Sequence, residues 1–479
     1  MSRSELPTPN AQRPAPPHAH VPVPSAVPVA TNPAARRPKR NWDLLVAGLL
    51  LLALGVRMVA ALVIDQQVTA AGRKFLIEGD ANGYWELGQK LASGSEYAIH
   101  SPPRRILRTP GFPLLLAVSI RIFGDSIFAA SLLLAALGTV CCWLTYLFAR
   151  GLFGRGAAVF TLLLTAISPL QVGSNVQILS ETWFTFWVLL SLWTLRPFLP
   201  DLTSGDSSPL SPSSPQSPAI ENCPPPLWWA FRAGLVTGFG VLVRPGWILW
   251  PLLACGLMIL SPRVPRRSRR LLMSVVLCLG CWCMLLPWAL RNASVCGHMV
   301  YTSLWSGPSL YDGLNQHATG ASDMRFLDQE ALYSRFSEYE VNEQYKRRAW
   351  QFAIQNPERV FWLALAKMGR YLSPGLQASG FSGGYFSLLC WIWYGFFWTF
   401  VFTGVLRLRR TLFPLALLAS PFLLFLLVHM VFVGSVRYRL PAEFPLSVIA
   451  AYGMASILHR WRGKQTDCHT INAGSMSPG

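Results

Sequence analysis

Charge is scarce in this chain, and acid is scarcer still. Only 13% of its 479 residues are charged, and Asp plus Glu number 22 against 41 Lys plus Arg, whereas an average soluble domain has about a quarter charged residues. With 52% hydrophobic residues and a mean hydropathy of +0.36, that shortage excludes an ordinary soluble domain and implies a polytopic membrane protein. The formal charge of +19 does not call for nucleic acid, because the basic residues fall in short loops between apolar runs, as the positive-inside rule requires. The first forty residues lack an apolar stretch, so no secretory signal is visible and the run 44–64 reads as a retained anchor. The ten cysteines are scattered. Cys278, Cys281 and Cys283, beside Trp282 inside an apolar run, read as small buried hydrophobes and not as zinc ligands.

What the chain does contain is a series of apolar runs, at 44–64, 127–148, 157–170, 182–195, 227–243, 246–260, 271–290, 388–406, 412–433 and 441–458. They predict an all-α fold with about ten transmembrane helices, plus external juxtamembrane helices and a small external helical cap. Residues 1–41 are Pro- and Ala-rich and read as a disordered cytoplasmic tail. The first external loop is 65–125, with 113–123 too short to cross and expected along the outer surface. A Pro- and Ser-rich cytoplasmic linker fills 199–226. Residues 291–384 read as an external cap and surface helix, with Asn356-Pro357 breaking the cap's last helix. Residues 385–462 supply the last helices, and 463–479 a cytoplasmic tail.

One loop concentrates the chemistry. Residues 79–112 read GDANGYWELGQKLASGSEYAIHSPPRRILRTPGF, a short helix ending at Gly94 with Tyr84, Leu87 and Leu91 on one apolar face. Asp80 stands at its mouth, as helix N-cap, as catalytic base, or as both. Arg104, Arg105 and Arg108 follow. Arg244, Arg291, Arg437 and Arg439 lie at external helix ends, against the positive-inside trend; they either snorkel to headgroups or grip a phosphate through paired hydrogen bonds. Glu181 faces the same compartment, as a helix-end charge or as part of the site. Arg57, inside the first span, is expected to reach the outer interface or a polar cleft. His100, His298 and His317 read as surface residues.

The ordered set Asp80-x3-Tyr84, Leu91-x2-Gly94, Arg108-x-Pro110-Gly111-x-Pro113, Ala149-Arg150 with Phe153-Gly154, Ser180-Glu181, Arg244-Pro245, Pro287-Trp288 with Arg291-Asn292, and Arg437-Tyr438-Arg439-x-Pro441 resembles GT-C type polytopic glycosyltransferases. More narrowly, it is similar to the bacterial branch related to protein O-mannosyltransferases and aminoarabinose transferases, over roughly residues 42–460. The resemblance makes residues 42–290 the membrane glycosyltransferase module. It implies transfer of a sugar from a polyprenyl-phosphate donor to a lipid, glycan or protein acceptor, with inversion, on the periplasmic or external face of a bacterial plasma (inner) membrane. It also implies that Asp80 is the general base; Tyr84, Arg108, Glu181, Arg244, Arg291, Arg437 and Arg439 are the candidate substrate-binding residues, with Arg437 and Arg439, and Arg244 or Arg291, expected on the donor phosphate. Some relatives use a divalent metal, but the external loops here show no DxD pattern. A polytopic transporter or flippase would instead show inverted repeats and midplane charge pairs, and an O-antigen polymerase or ligase is a further reading.

The clusters at Arg36–Arg40, Arg263–Arg270 and Arg407–Arg410 predict cytoplasmic loops and termini. Cysteines introduced singly at 95–105 or 315–340 should react with an impermeant label from outside, and those at 205–215 should not. External labelling of 205–215 would invert the map.

Overall fold

The computed structural model describes residues 41–198, 225–375 and 384–474, with side chains to 458. The predicted tail 1–41 with its basic cluster, the linker 199–226 and the end of the C-terminal tail fall wholly or largely outside those residues. The compact body is Asp43–Gly479. Its described residues form helices α1 (Trp42–Ala70), α2 (Glu78–Ser93), α3 (Gly111–Phe123), α4 (Ile127–Ile167), α5 (Pro169–Ser174), α6 (Glu181–Leu195), α7 (Leu227–Val243), α8 (Trp250–Leu260) and α9 (Arg267–Cys296). After these come α10 (Ser306–Gly313), α11 (Phe326–Glu330), α12 (Glu338–Gln355), α13 (Pro357–Leu372), α14 (Tyr385–Leu408), α15 (Leu412–Val431) and α16 (Leu440–Gly474). Among the described residues the one extended pairing is a bridge between Ile99 and Arg104.

All ten apolar runs fall on helices. Six helices are long and apolar enough to cross a membrane by length and composition, and α3, α7 and the segment Pro245–Leu260 are shorter apolar helices. The 127–148 and 157–170 runs are joined in α4, which breaks at Gly154, where φ of 78° is affordable only without a Cβ. Large apolar side chains such as Leu51, Leu252, Phe402 and Leu427 point outward, as lipid contact requires, and the molecule is an all-α polytopic membrane protein.

The bundle is organised around α16. In the most apolar 18-residue window of Val436–Leu458, 72% of residues are buried, against 17% in that of α1, and α16 packs on α4, α6, α14 and α15. The central helix therefore starts one residue after Arg439, with the short turn Val436–Arg439 at its mouth. At the same end α2 packs on α3 through Tyr84 and Phe112, whose rings meet edge to face at 5.0 Å. Gly94 closes α2 in the left-handed region, as the sequence predicts, and Asn356-Pro357 separates α12 from α13.

One expectation is corrected and another narrowed. Cys281 is buried, but Cys278 and Cys283 are exposed. The packed face of α9 runs through Met273, Leu277, Gly280, Cys281 and Leu285; at 100° per residue Cys283 points away from it, and Cys278 lies at its edge, about 20° past Leu285. Of the two places expected for Arg57, it takes a polar niche inside the protein and not the outer interface. It is fully buried, with donors committed to the carbonyls of Ala53, Thr165 and Ala166 and to Asn175, because inside a bilayer an arginine that cannot snorkel must be satisfied by protein.

The α7–α9 crossing depends on glycine. A Cβ on Gly234 would run into the Leu277 carbonyl, and one on Gly280 into that of Phe231, so the two backbones touch in the manner of small-residue membrane packing. Gly234→Leu should lower stability by about 1–3 kcal/mol or more, read as a lower melting temperature in detergent. Gly256→Leu, where a Cβ meets open space, should melt like the parent; equal melting of both variants would contradict this packing.

Candidate active site

Residues distant in sequence are drawn together at the mouth of α16. Asp80 is the third residue of α2. It is not the N-cap: that position is Ile77, and no side chain caps the helix. The capping role is thus replaced by ion pairing. Oδ1 of Asp80 accepts from Arg108 Nη2 at 2.5 Å, and Oδ2 from Arg437 Nη2 at 2.8 Å. The other edge of Arg437 donates through Nε to Glu181 Oε1, and Arg244 Nη1 stands 3.4 Å from the same oxygen. One chain of charges therefore runs Arg108, Asp80, Arg437, Glu181, Arg244.

The two carboxylates differ in exposure. The Asp80 side chain is 31% exposed and that of Glu181 1%, so the site opens at Asp80 and deepens toward α6. Burial by itself would raise the Asp80 carboxyl, but Arg108 and Arg437 outweigh it and hold the group well below the usual carboxylate range. Several polar atoms keep spare capacity: Arg108 Nε, Arg244 Nη1 and Glu181 Oε2 are buried without a hydrogen-bond partner.

Each member is held by local structure. The segment carrying Arg108 is pinned where the Glu338 carboxylate accepts from the backbone N–H groups of Arg105 and Ile106, and where the Tyr97 hydroxyl donates to the Arg108 carbonyl at 3.2 Å. The Arg108 guanidinium lies over Tyr84 at 4.9 Å and Trp305 at 5.6 Å. Arg437 rides on a 3-10 turn whose approach is clamped from α13, with Lys367 Nζ donating to the Val431 carbonyl at 2.7 Å and Arg370 Nε to that of Gly434 at 3.1 Å. Glu181 opens α6 beside Thr182, whose hydroxyl takes a bond from Asn175, itself held by Arg57. The Arg244 guanidinium covers the Tyr438 ring at 4.9 Å.

Of the eight residues singled out in sequence, Asp80, Arg108, Glu181, Arg244 and Arg437 thus form one network, and Tyr84 flanks it. Arg291 and Arg439 stand apart. Arg291 donates to the carbonyls of Arg105 and Tyr97 and lies over Trp288. Arg439, fully buried, pairs with Glu443 at 2.6 Å and binds the carbonyls of Tyr371 and Ser373. The other loop arginines diverge too: Arg105 pairs with Glu96, and Arg104 covers Tyr333. Sequence reasoning missed Trp305 and Tyr438. Tyr438 sits inside the Arg-Tyr-Arg motif and was within reach, whereas nothing in the sequence marks Trp305.

The donor set does not fit a divalent cation. Among the described residues no three His, Cys, Asp or Glu side chains gather around a common point, and both Asp80 oxygens and one Glu181 oxygen already face guanidinium groups. What the arrangement offers is one carboxylate at an opening and three guanidiniums around it, suited to a proton and a phosphate.

The family described as dolichyl-phosphate-mannose-protein mannosyltransferase matches residues 107–201, which include Arg108 and Glu181. Among curated proteins none matches in sequence. Among solved structures, the Archaeoglobus fulgidus oligosaccharyltransferase in the apo form is similar over 91% of this chain and 52% of its own, at 15% identity and a TM-score of 0.51. ArnT from Cupriavidus metallidurans, bound to undecaprenyl phosphate, aligns over 87% of this chain and 78% of its own, at 16% identity and a TM-score of 0.39. The chain spans about half the length of the oligosaccharyltransferase, and identities this low speak to fold and not to activity. The chain is thus a polytopic membrane protein that shares the fold of the oligosaccharyltransferase, with a mannosyltransferase-like segment at residues 107–201.

Proposed function

We propose that this protein transfers a sugar from a polyprenyl-phosphate donor to a lipid, glycan or protein acceptor on the external face of a bacterial plasma membrane, with inversion at the anomeric carbon. The observation that carries the reading is Arg437 held between Asp80 and Glu181, with Arg108 and Arg244 alongside. The matched segment supports the choice of donor, since the family it matches is described by a dolichyl-phosphate-linked mannose.

The acceptor hydroxyl or amine attacks the anomeric carbon opposite the phosphate. Its proton passes to an Asp80 oxygen, the new bond to the anomeric carbon forms, and the bond from that carbon to the phosphate oxygen breaks, leaving with its electron pair. The charge balance supports this sequence. Three guanidiniums and two carboxylates leave the network one net positive charge, which matches the single charge of a phosphodiester. As Asp80 takes up the proton the network gains a second positive charge, while the departing phosphate becomes a monoester and moves toward a second negative one. Glu181 remains ionised beneath Arg437 and Arg244 and fixes their geometry.

Asp80→Asn keeps an acceptor oxygen for Arg437 but not the basic carboxylate. Transfer in membranes should fall about 100-fold or more with insertion intact. Arg437→Gln or Arg244→Gln should lower donor kcat/KM roughly 10–100-fold, the range for a charged hydrogen bond, and Arg291→Gln should have the smaller effect. Near-normal transfer by Asp80→Asn would end its role as base, and a larger loss in Arg291→Gln than in Arg437→Gln would move the phosphate elsewhere.

A pH profile checks the same geometry. In the ligand-free site the two arginines keep Asp80 ionised far below the ordinary carboxylate value of about 4, so donor kcat/KM should show no acid limb from Asp80 near that value. A bound phosphate draws Arg108 and Arg437 toward itself and removes their hold, which raises the carboxyl. The acid limb of kcat should therefore lie at higher pH than that of kcat/KM, and the opposite order would contradict the exchange of partners.

A further inference from the structure

Beside the charge network lies a second opening, a cleft of about 550 Å³ between the Pro102–Arg105 stretch and the segments around His298 and Phe336–Glu340. None of its residues belongs to the network. Its walls are aromatic and polar together. The His298 and Tyr339 rings stack nearly parallel, 3.7 Å apart, Phe336 is 42% exposed, and the Arg104 guanidinium lies 3.7 Å above the Tyr333 ring. Two polar atoms at this wall, Arg104 Nε and the Tyr333 hydroxyl, are buried without a hydrogen-bond partner. Unpaired buried groups are costly, and an incoming ligand with hydroxyls can relieve that cost.

The cleft is coupled to the reaction site through the backbone. Glu338 receives the N–H groups of Arg105 and Ile106, and Arg108 follows three residues after Arg105, at most roughly 10 Å along an extended chain. That is about the length of two sugar rings. Charge also limits the occupant: Arg104 and Arg105 are balanced by Glu338 and Glu340, so neither a polyanion nor a strongly basic peptide is favoured. The one extended pairing beside it, the isolated bridge at Arg104, leads into Arg105 and Ile106, whose N–H groups Glu338 already holds, so these offer no free edge for a peptide backbone to pair with. A neutral saccharide has apolar ring faces to lie on aromatic rings and hydroxyls that both donate and accept.

Resting on the glycosyltransferase reading, we propose that this cleft is the subsite for a neutral acceptor oligosaccharide, holding the sugars beyond the hydroxyl that Asp80 activates. The acceptor is then a glycan, in preference to a bare lipid or peptide, with Phe336 and the His298–Tyr339 pair as its stacking surfaces and Arg104, Tyr333 and Glu338 as its polar contacts.

The test is binding to the full chain in nanodiscs, without donor, of an array of neutral oligosaccharides of two to six hexose or N-acetylhexosamine units, with a peptide array alongside. At least one oligosaccharide should bind. Phe336→Ala and Tyr339→Ala should each weaken that binding about tenfold or more at unchanged melting temperature, Phe336→Tyr should retain it, and Asp80→Asn should leave it intact. Binding of peptides alone, binding of no oligosaccharide, or oligosaccharide binding indifferent to both aromatic variants would overturn the proposal. Because the measurement needs no transfer, it separates the two readings. Cleft-dependent binding in a protein that transfers no sugar would retire the transferase and keep the subsite, and transfer of sugar to a glycan by a protein insensitive at Phe336 and Tyr339 would do the reverse.

Discussion

A guanidinium shared between two carboxylates is the constraint on which the rest of this structure turns. Arg437 is 357 residues from Asp80 and 256 from Glu181, and the two acids sit on different helices, α2 and α6. Each charge in this partly buried network is tolerable only because its neighbour is present, and removing one partner leaves an uncompensated charge, which is far more costly than never having built the pair. The fold can be read as the support for that arrangement. Central α16 is packed on all sides so that its mouth is fixed, α13 clamps the turn before Arg437, and the fully buried Arg57 steadies the start of α6 through Asn175.

How much of this was legible in the sequence differs by level. Helices could be located because a bilayer demands long apolar segments, and all ten runs fall on helices. The role of Asp80 at the start of α2 stayed open because an acid at a helix mouth is equally good as a cap or as an ion-pair partner, and only the tertiary position of Arg437 decides between them. The arginines at helix ends were found as a set because, on the expected topology, they violate the positive-inside trend. That rule is blind to partners: it could not tell that Arg244 and Arg437 meet Glu181 while Arg439 is taken by Glu443 and Arg291 by backbone carbonyls. Cys278 and Cys283 failed for a related reason. Within a membrane helix apolar character does not distinguish the packed face from the lipid face, since both are hydrophobic.

Trp305 marks another limit. It lies in a polar stretch without periodicity or motif, yet its ring shares the Arg108 guanidinium with Tyr84. The contact follows from Glu338, whose carboxylate ties the later segment to the backbone of the first loop, and from the Leu304 N–H, which donates to the Ile106 carbonyl. A long-range bond from a side chain to unremarkable backbone leaves no trace in composition. Functional residues contributed in this way are reachable only from coordinates.

On the proposed function, the resting site also explains its own stability. Three guanidiniums held close together would repel, and an empty phosphate site built from arginine alone would be strained until substrate arrived. Asp80 and Glu181 act here as internal anions in place of the phosphate. An arriving phosphate must displace Asp80 from Arg437 and Arg108, at a cost of about 1.5–3 kcal/mol for each charged hydrogen bond, and it regains a similar sum in new bonds of the same kind. Donor affinity is thereby kept moderate. The displaced carboxylate, freed of the two cations that suppressed its basicity, becomes able to take a proton only when a sugar is in place to be attacked. A base suppressed by the same arginines that recognise the leaving group needs no separate gate against misfiring in the empty site.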